Sequence, residues 1–110
     1  MNLDELVQSI RQLSTDKEVQ GLSHWMLEWK TSDADIAGLR YTVEKYFGTV
    51  WIDSEDIHNA AYELWQTFLK LVVDRVDGMT VNERLYHFSL FDAYDAVSEA
   101  RRAELLAKLR

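Results

Sequence analysis

The chain has 110 residues, 19 acidic against 12 basic side chains, a net charge of −7, and neither cysteine nor proline. This length fits a single domain, residues 1–110, and the composition (47% hydrophobic, 28% charged) is that of a globular protein. The absence of cysteine excludes disulfides, thiolate metal ligands and cysteine nucleophiles. The acidic balance argues against nucleic acid or an anionic membrane as the partner, because both need clustered basic residues.

Apolar residues recur every three or four positions in the first half of the chain, a spacing typical of amphipathic helices. The first such stripe runs from Leu3 to Leu13. Residues 15–18, TDKE, are predicted to form a capping box that opens a second helix. Residues 32–35, SDAD, are predicted to start a third helix, which ends near Gly48.

Residues 49–52 are prone to β-structure, but four isolated residues cannot form a sheet. They are therefore predicted to be an extended connector, with Trp51 buried in the core. The longest helix is predicted to start at residues 53–56, to run to about Val76 and to end at Gly78. Because it is apolar around much of its circumference, we expect it to be central.

A second capping box, residues 80–83, is predicted to open a segment that continues through Tyr94, and residues 98–110 form a last helix. The sum is five or six helices joined by short loops. The sequence predicts an all-α, single-domain orthogonal bundle with a long central helix.

Residues that could carry chemistry are few. Glu55 and His58 have the Glu-x-x-His spacing of di-iron bundles, but such sites need that motif on two helices and it occurs once. No serine lies in a nucleophile elbow, and no glycine-rich loop could hold a phosphate. We therefore predict no metal, no cofactor and no enzymatic activity.

Two stretches lack basic residues and combine carboxylates with aromatics: residues 51–65 and residues 86–99. Carboxylates steer a basic partner and aromatic side chains supply buried anchors, so these stretches predict a surface for a basic protein. The alternative is that the aromatics face inward and the carboxylates mark helix starts. The predicted partner-binding residues are Trp51, Asp53, Glu55, Asp56, Tyr62, Glu63, Arg84, His87, Asp92, Tyr94 and Asp95.

Residues 78–86, GMTVNERLY, followed by residues 90–95, LFDAYD, resemble a segment of short uncharacterised bacterial proteins. The shared pattern is GMTxNERL and then LFDx-aromatic-D. That family has no assigned activity, so the resemblance implies no catalytic residues. Arg84 could pair with Asp92 or Asp95 across a bend, or these three residues could form an exposed contact site.

The leading hypothesis is a cytosolic acidic binding protein, most concretely an immunity or antitoxin-like protein that neutralises a basic, nucleic-acid-degrading toxin. The alternative is a small helical enzyme or ligand-binding bundle with an aromatic pocket around Tyr86, His87 and Asp92. A third hypothesis is a homodimer whose exposed aromatics serve only self-association.

Overall fold

The computed structural model describes all 110 residues and contains helices but no strands, which confirms the predicted all-α class. No helix in it has the length and apolar character needed to cross a membrane. The elements, in chain order, are α1 (Leu3–Arg11), α2 (Lys17–Thr31), α3 (Ile36–Thr49), α4 (Glu55–Leu71), a 3-10 helix (Val73–Gly78), α5 (Val81–His87), α6 (Phe91–Ala96) and α7 (Glu99–Lys108).

The core is built around α1, which packs against both α2 and α4. Its buried face consists of Leu3, Leu6, Val7 and Ile10, spaced so that they share one side of the helix. From α4, the fully buried Trp65 and Phe68 contribute the largest side chains. Helix α3 packs mainly against α2, through the buried residues Ile36, Leu39 and Val43.

The predicted long helix is shorter than expected. Helix α4 ends at Leu71, and the chain continues as a 3-10 helix to Gly78. The 3-10 geometry brings side chains three positions apart onto one side, and Val73 and Val76, each 8% exposed, are both buried by it. Both valines can therefore be buried by the 3-10 helix. The apolar pattern of the sequence is the same for a continued α-helix, so it did not distinguish the two.

The segment predicted to continue from residue 80 through Tyr94 is broken into α5 and α6 by a Schellman motif. Ser89 has a positive φ of 57°, the Leu90 amide donates to the Leu85 carbonyl at 2.8 Å, and the Ser89 amide donates to Tyr86. The Ser89 hydroxyl also accepts a hydrogen bond from the amide of Asp4 in the first turn of α1. This break raises the number of α-helices to seven rather than the five or six expected.

The predicted helix starts are mostly correct. The capping box of Thr80 and Glu83 is present, and Asp35 caps α3 by accepting a hydrogen bond from the Gly38 amide. The capping box predicted at residues 15–18 is absent. The N-cap of α2 is Asp16 rather than Thr15, and the Asp16 side chain makes no capping hydrogen bond.

Candidate functional site

The connector between α3 and α4 presents the most exposed aromatic residue of the molecule. Trp51 is 78% exposed, so the prediction that it is buried in the core is wrong. Its neighbour Ile52 is the buried residue, at 5% exposure, and Asp53 is exposed again. Side chains of an extended chain alternate in direction, so only one of these two neighbours can enter the core. In this structure Ile52 is the one that is buried in the core.

Three aromatic side chains pack together beside this connector. Phe47, in the last turn of α3, meets the rings of His58 and Tyr62 edge to face, with centroids 5.7 and 5.3 Å apart. His58 and Tyr62 lie one turn apart on α4, with nearly parallel rings. Phe47 and His58 are half-buried, whereas Tyr62 is exposed. The trio fixes the end of α3 against the start of α4.

The connector, together with Phe47 and His58 of the aromatic trio, borders a groove of about 610 Å³, which we call the acidic groove. Its lining includes no lysine or arginine. The residues that line it are Phe47, Gly48, Thr49, Val50, Trp51, Ile52, Asp53, Glu55, His58 and Asn59.

The carboxylates at the acidic groove have no cationic partner within the protein. The ion pairs of the chain involve other acids, as in Asp4 with Lys30 and Glu44 with Arg40. Asp53, Glu55 and Asp56 are exposed and form no ion pair, and the same holds for Glu63 further along α4. The structure thus places all the predicted binding residues of the first stretch, from Trp51 to Glu63, at the surface, whereas Trp65 of the same stretch is fully buried.

The second predicted stretch has a different environment, because Arg102 of α7 reaches it. Arg102 lies over the Tyr94 ring, 5.1 Å from its centroid, and donates to the Tyr94 carbonyl at 2.8 Å. Arg84 donates to the carbonyls of Met79 and Leu109 and forms no ion pair with Asp92 or Asp95, so the first of the two alternatives for these residues is not found in the structure. Asp92 and Asp95 are exposed, and Tyr94 and His87 are half-buried.

The residues of the alternative pocket hypothesis are close together but do not enclose a cavity. Tyr86 and Asp92 border a depression of about 160 Å³, which His87 does not line. Ligand pockets usually start at about 300 Å³. The His87 ring contacts that of Tyr86, and its Nδ1 is buried without a hydrogen-bond partner. No group of three or more histidines and carboxylates lies close enough to hold a metal ion.

Sequence reasoning missed Lys108, which it treated only as a cation favoured in a last helical turn. The side chain is buried, and its Nζ donates to the carbonyls of Trp29 and Ser32 at the end of α2. It also lies over the Trp29 ring. Burial, together with the nearby Arg101, lowers the pKa of Lys108 to about 8. No local signal separates this lysine from an exposed one, since its partners lie more than 70 residues away.

Sequence reasoning also missed the roles of Phe47 and His58, which help form the acidic groove. Phe47 belongs to no motif, and the Glu-x-x-His spacing of His58 does not point to this contact, which depends on how α3 and α4 meet. Comparison of the chain with protein-family models, curated proteins and solved structures finds no match. The function is therefore argued from the geometry and charge of the acidic groove.

Proposed function

We propose that this chain is a small acidic binding protein whose acidic groove docks a basic protein partner. The observation that carries the proposal is the exposure of Trp51, 78%, on a connector whose carboxylates have no partner within the chain. Tryptophan, together with tyrosine and arginine, is enriched among binding hot spots.

The surroundings of Trp51 favour a cationic partner. Asp53, Glu55 and Asp56 lie close in sequence to the tryptophan, and no lysine or arginine lines the groove. Unpaired carboxylates of one sign accelerate the encounter with a basic surface, and the aromatic residues then exclude water from the contact. The second stretch is a weaker candidate, because Arg102 already covers Tyr94.

The most concrete form of this proposal is a cytosolic immunity or antitoxin-like protein that neutralises a basic, nucleic-acid-degrading toxin. A nuclease is basic where it binds phosphates, and an acidic protein can occupy that same surface. The net charge of −7 is compatible with this form.

The test uses any basic protein that is found to be encoded beside the gene for this chain. Both proteins are purified, their affinity is measured by calorimetry, and nuclease activity is measured with and without the chain. We expect binding that weakens as salt is raised, loss of nuclease activity in the complex, and an affinity reduced at least about tenfold by Trp51→Ala.

The matched control is Trp25→Ala. Trp25 is also exposed, at 52%, but it lies outside the acidic groove, in a depression that Lys45 lines and no carboxylate lines. If Trp25→Ala weakens binding as much as Trp51→Ala, the acidic groove is not the docking site. Absence of binding to the basic protein removes the immunity form, and a stable homodimer that buries Trp51, detected by light scattering, replaces the proposal with self-association.

A further inference from the structure

The last two helices form a unit that contributes little to the buried core. Helix α6 contains no buried residue, whereas α1, α2 and α4 each contain at least four. Helix α7 packs most closely against α6, and Arg102 joins the two helices by donating to the main-chain carbonyls of Tyr94 and Asp95. We call residues 91–110, which contain both helices, the C-terminal flap.

Few side chains fasten the C-terminal flap to the rest of the protein. Leu105 and Leu109 are buried. Apart from the first helical bond of α6, every hydrogen bond between the flap and the rest of the chain involves one of two cations. Lys108 donates to two carbonyls at the end of α2, and Arg84 donates to the Leu109 carbonyl. No ion pair joins the flap to the other helices.

The chain enters the C-terminal flap through a turn that is fixed to the core. Leu90 is fully buried, and the Ser89 hydroxyl accepts a hydrogen bond from the Asp4 amide. Ser89 has a positive φ of 57°, a conformation that residues other than glycine seldom adopt. This turn can therefore stay in place while the helices that follow it move.

We infer that the C-terminal flap opens as one unit by pivoting at Leu90, and that Lys108 is the clasp that holds it closed. Segments with few buried apolar contacts open at a lower free energy than the core of the same protein. Opening would withdraw Lys108 from the Trp29 ring, over which it lies, and would uncover the end of α2. This device is separate from the proposed function, because no flap residue lines the acidic groove.

The test is native-state amide hydrogen exchange followed by NMR, which reports the free energy of the opening that exposes each amide. We expect the hydrogen-bonded amides of α6 and α7 to share one level of protection, at least about tenfold below that of the slowest amides in α1, α2 and α4. Lys108→Met should accelerate exchange in both flap helices about fivefold, because the clasp is lost. Lys70→Met, at an exposed position, is the control and should change nothing.

A second variant, Val43→Ala, separates opening of the flap from unfolding of the whole protein. Val43 is buried in α3, which packs mainly against α2, so its contacts remain intact when only the flap opens. Val43→Ala should therefore accelerate the slowest amides of α2 and α4 about tenfold and leave α6 and α7 unchanged.

Three results would overturn the inference. Equal acceleration of the flap and the core by Val43→Ala would show that the flap opens only when the whole protein unfolds. Acceleration by Lys108→Met that is confined to the last turn of α7 would show that the end of this helix frays alone. Unchanged exchange in both flap helices of Lys108→Met would show that Lys108 is not the clasp.

Discussion

Replacement of Lys108 by methionine should reveal a buried charge that joins the last helix to the end of α2. Methionine keeps most of the aliphatic length but has no N–H donor. The Ser32 carbonyl, which accepts from Nζ at 2.5 Å and has no other donor, would lose its partner. At pH 7 we expect Lys108→Met to lower the free energy of unfolding by about 1 kcal/mol, since part of this loss is offset by removal of a desolvated charge.

The more specific expectation concerns pH. In the folded protein the pKa of Lys108 is about 8, compared with 10.5 in the absence of the fold. Because the folded pKa is lower, the unfolded chain binds more protons above pH 8, and stability rises with pH across this window. The rise from pH 7 to 9.5 amounts to at most about 2 kcal/mol. Burial and Arg101 lower this pKa, whereas Asp33 and Asp35 act in the opposite direction.

The assay is urea unfolding, followed by circular dichroism at intervals between pH 7 and 9.5. Measurements stop there because the pKa of Tyr46 is raised by burial and by Glu18, so its titration lowers stability above pH 10. The stability of the wild-type protein relative to Lys108→Met should increase by at most about 2 kcal/mol across the window. Lys70→Met, at an exposed position, is the control. Parallel curves for the wild type and Lys108→Met would refute the reasoning.

Three further predictions can be checked by the same urea titrations at pH 7. A Cβ added at Gly21 would lie 2.6 Å from the Tyr46 hydroxyl, so Gly21→Ala should destabilise the wild type by about 1 kcal/mol. In the Tyr46→Phe background, which lacks this hydroxyl, Gly21→Ala should instead stabilise the protein by about 1 kcal/mol, because alanine favours helix more than glycine does. Effects of the same sign in both backgrounds would contradict this contact. Ser89→Ala should lower the free energy of unfolding by about 1 kcal/mol, because it removes the acceptor for the Asp4 amide. Ser89→Gly removes the same acceptor but should be nearly neutral, because glycine adopts a positive φ without strain. Equal losses for the two variants would contradict this explanation. Trp51→Ala should change stability by less than about 0.5 kcal/mol, and a larger loss would mean that the ring packs in the core.

Much of the helical architecture follows from local sequence. The apolar spacing of α1 and the capping box of Thr80 and Glu83 involve residues within a few positions of one another, so their structural consequences could be predicted. The break at Ser89 could not be predicted, because serine seldom adopts a positive φ and because its hydroxyl accepts a hydrogen bond from the amide of Asp4, 85 positions away.

The features of the acidic groove can likewise be separated into those that follow from the sequence and those that depend on the packed structure. The sequence by itself determined that residues 51–65 are acidic, aromatic and free of basic residues. Only the tertiary structure decided that Ile52 rather than Trp51 enters the core, and that Arg102 covers Tyr94 while no cation reaches Asp53. The physical reason is range: helical periodicity and capping act over one turn, whereas burial and charge pairing depend on which distant segments the packed core brings together.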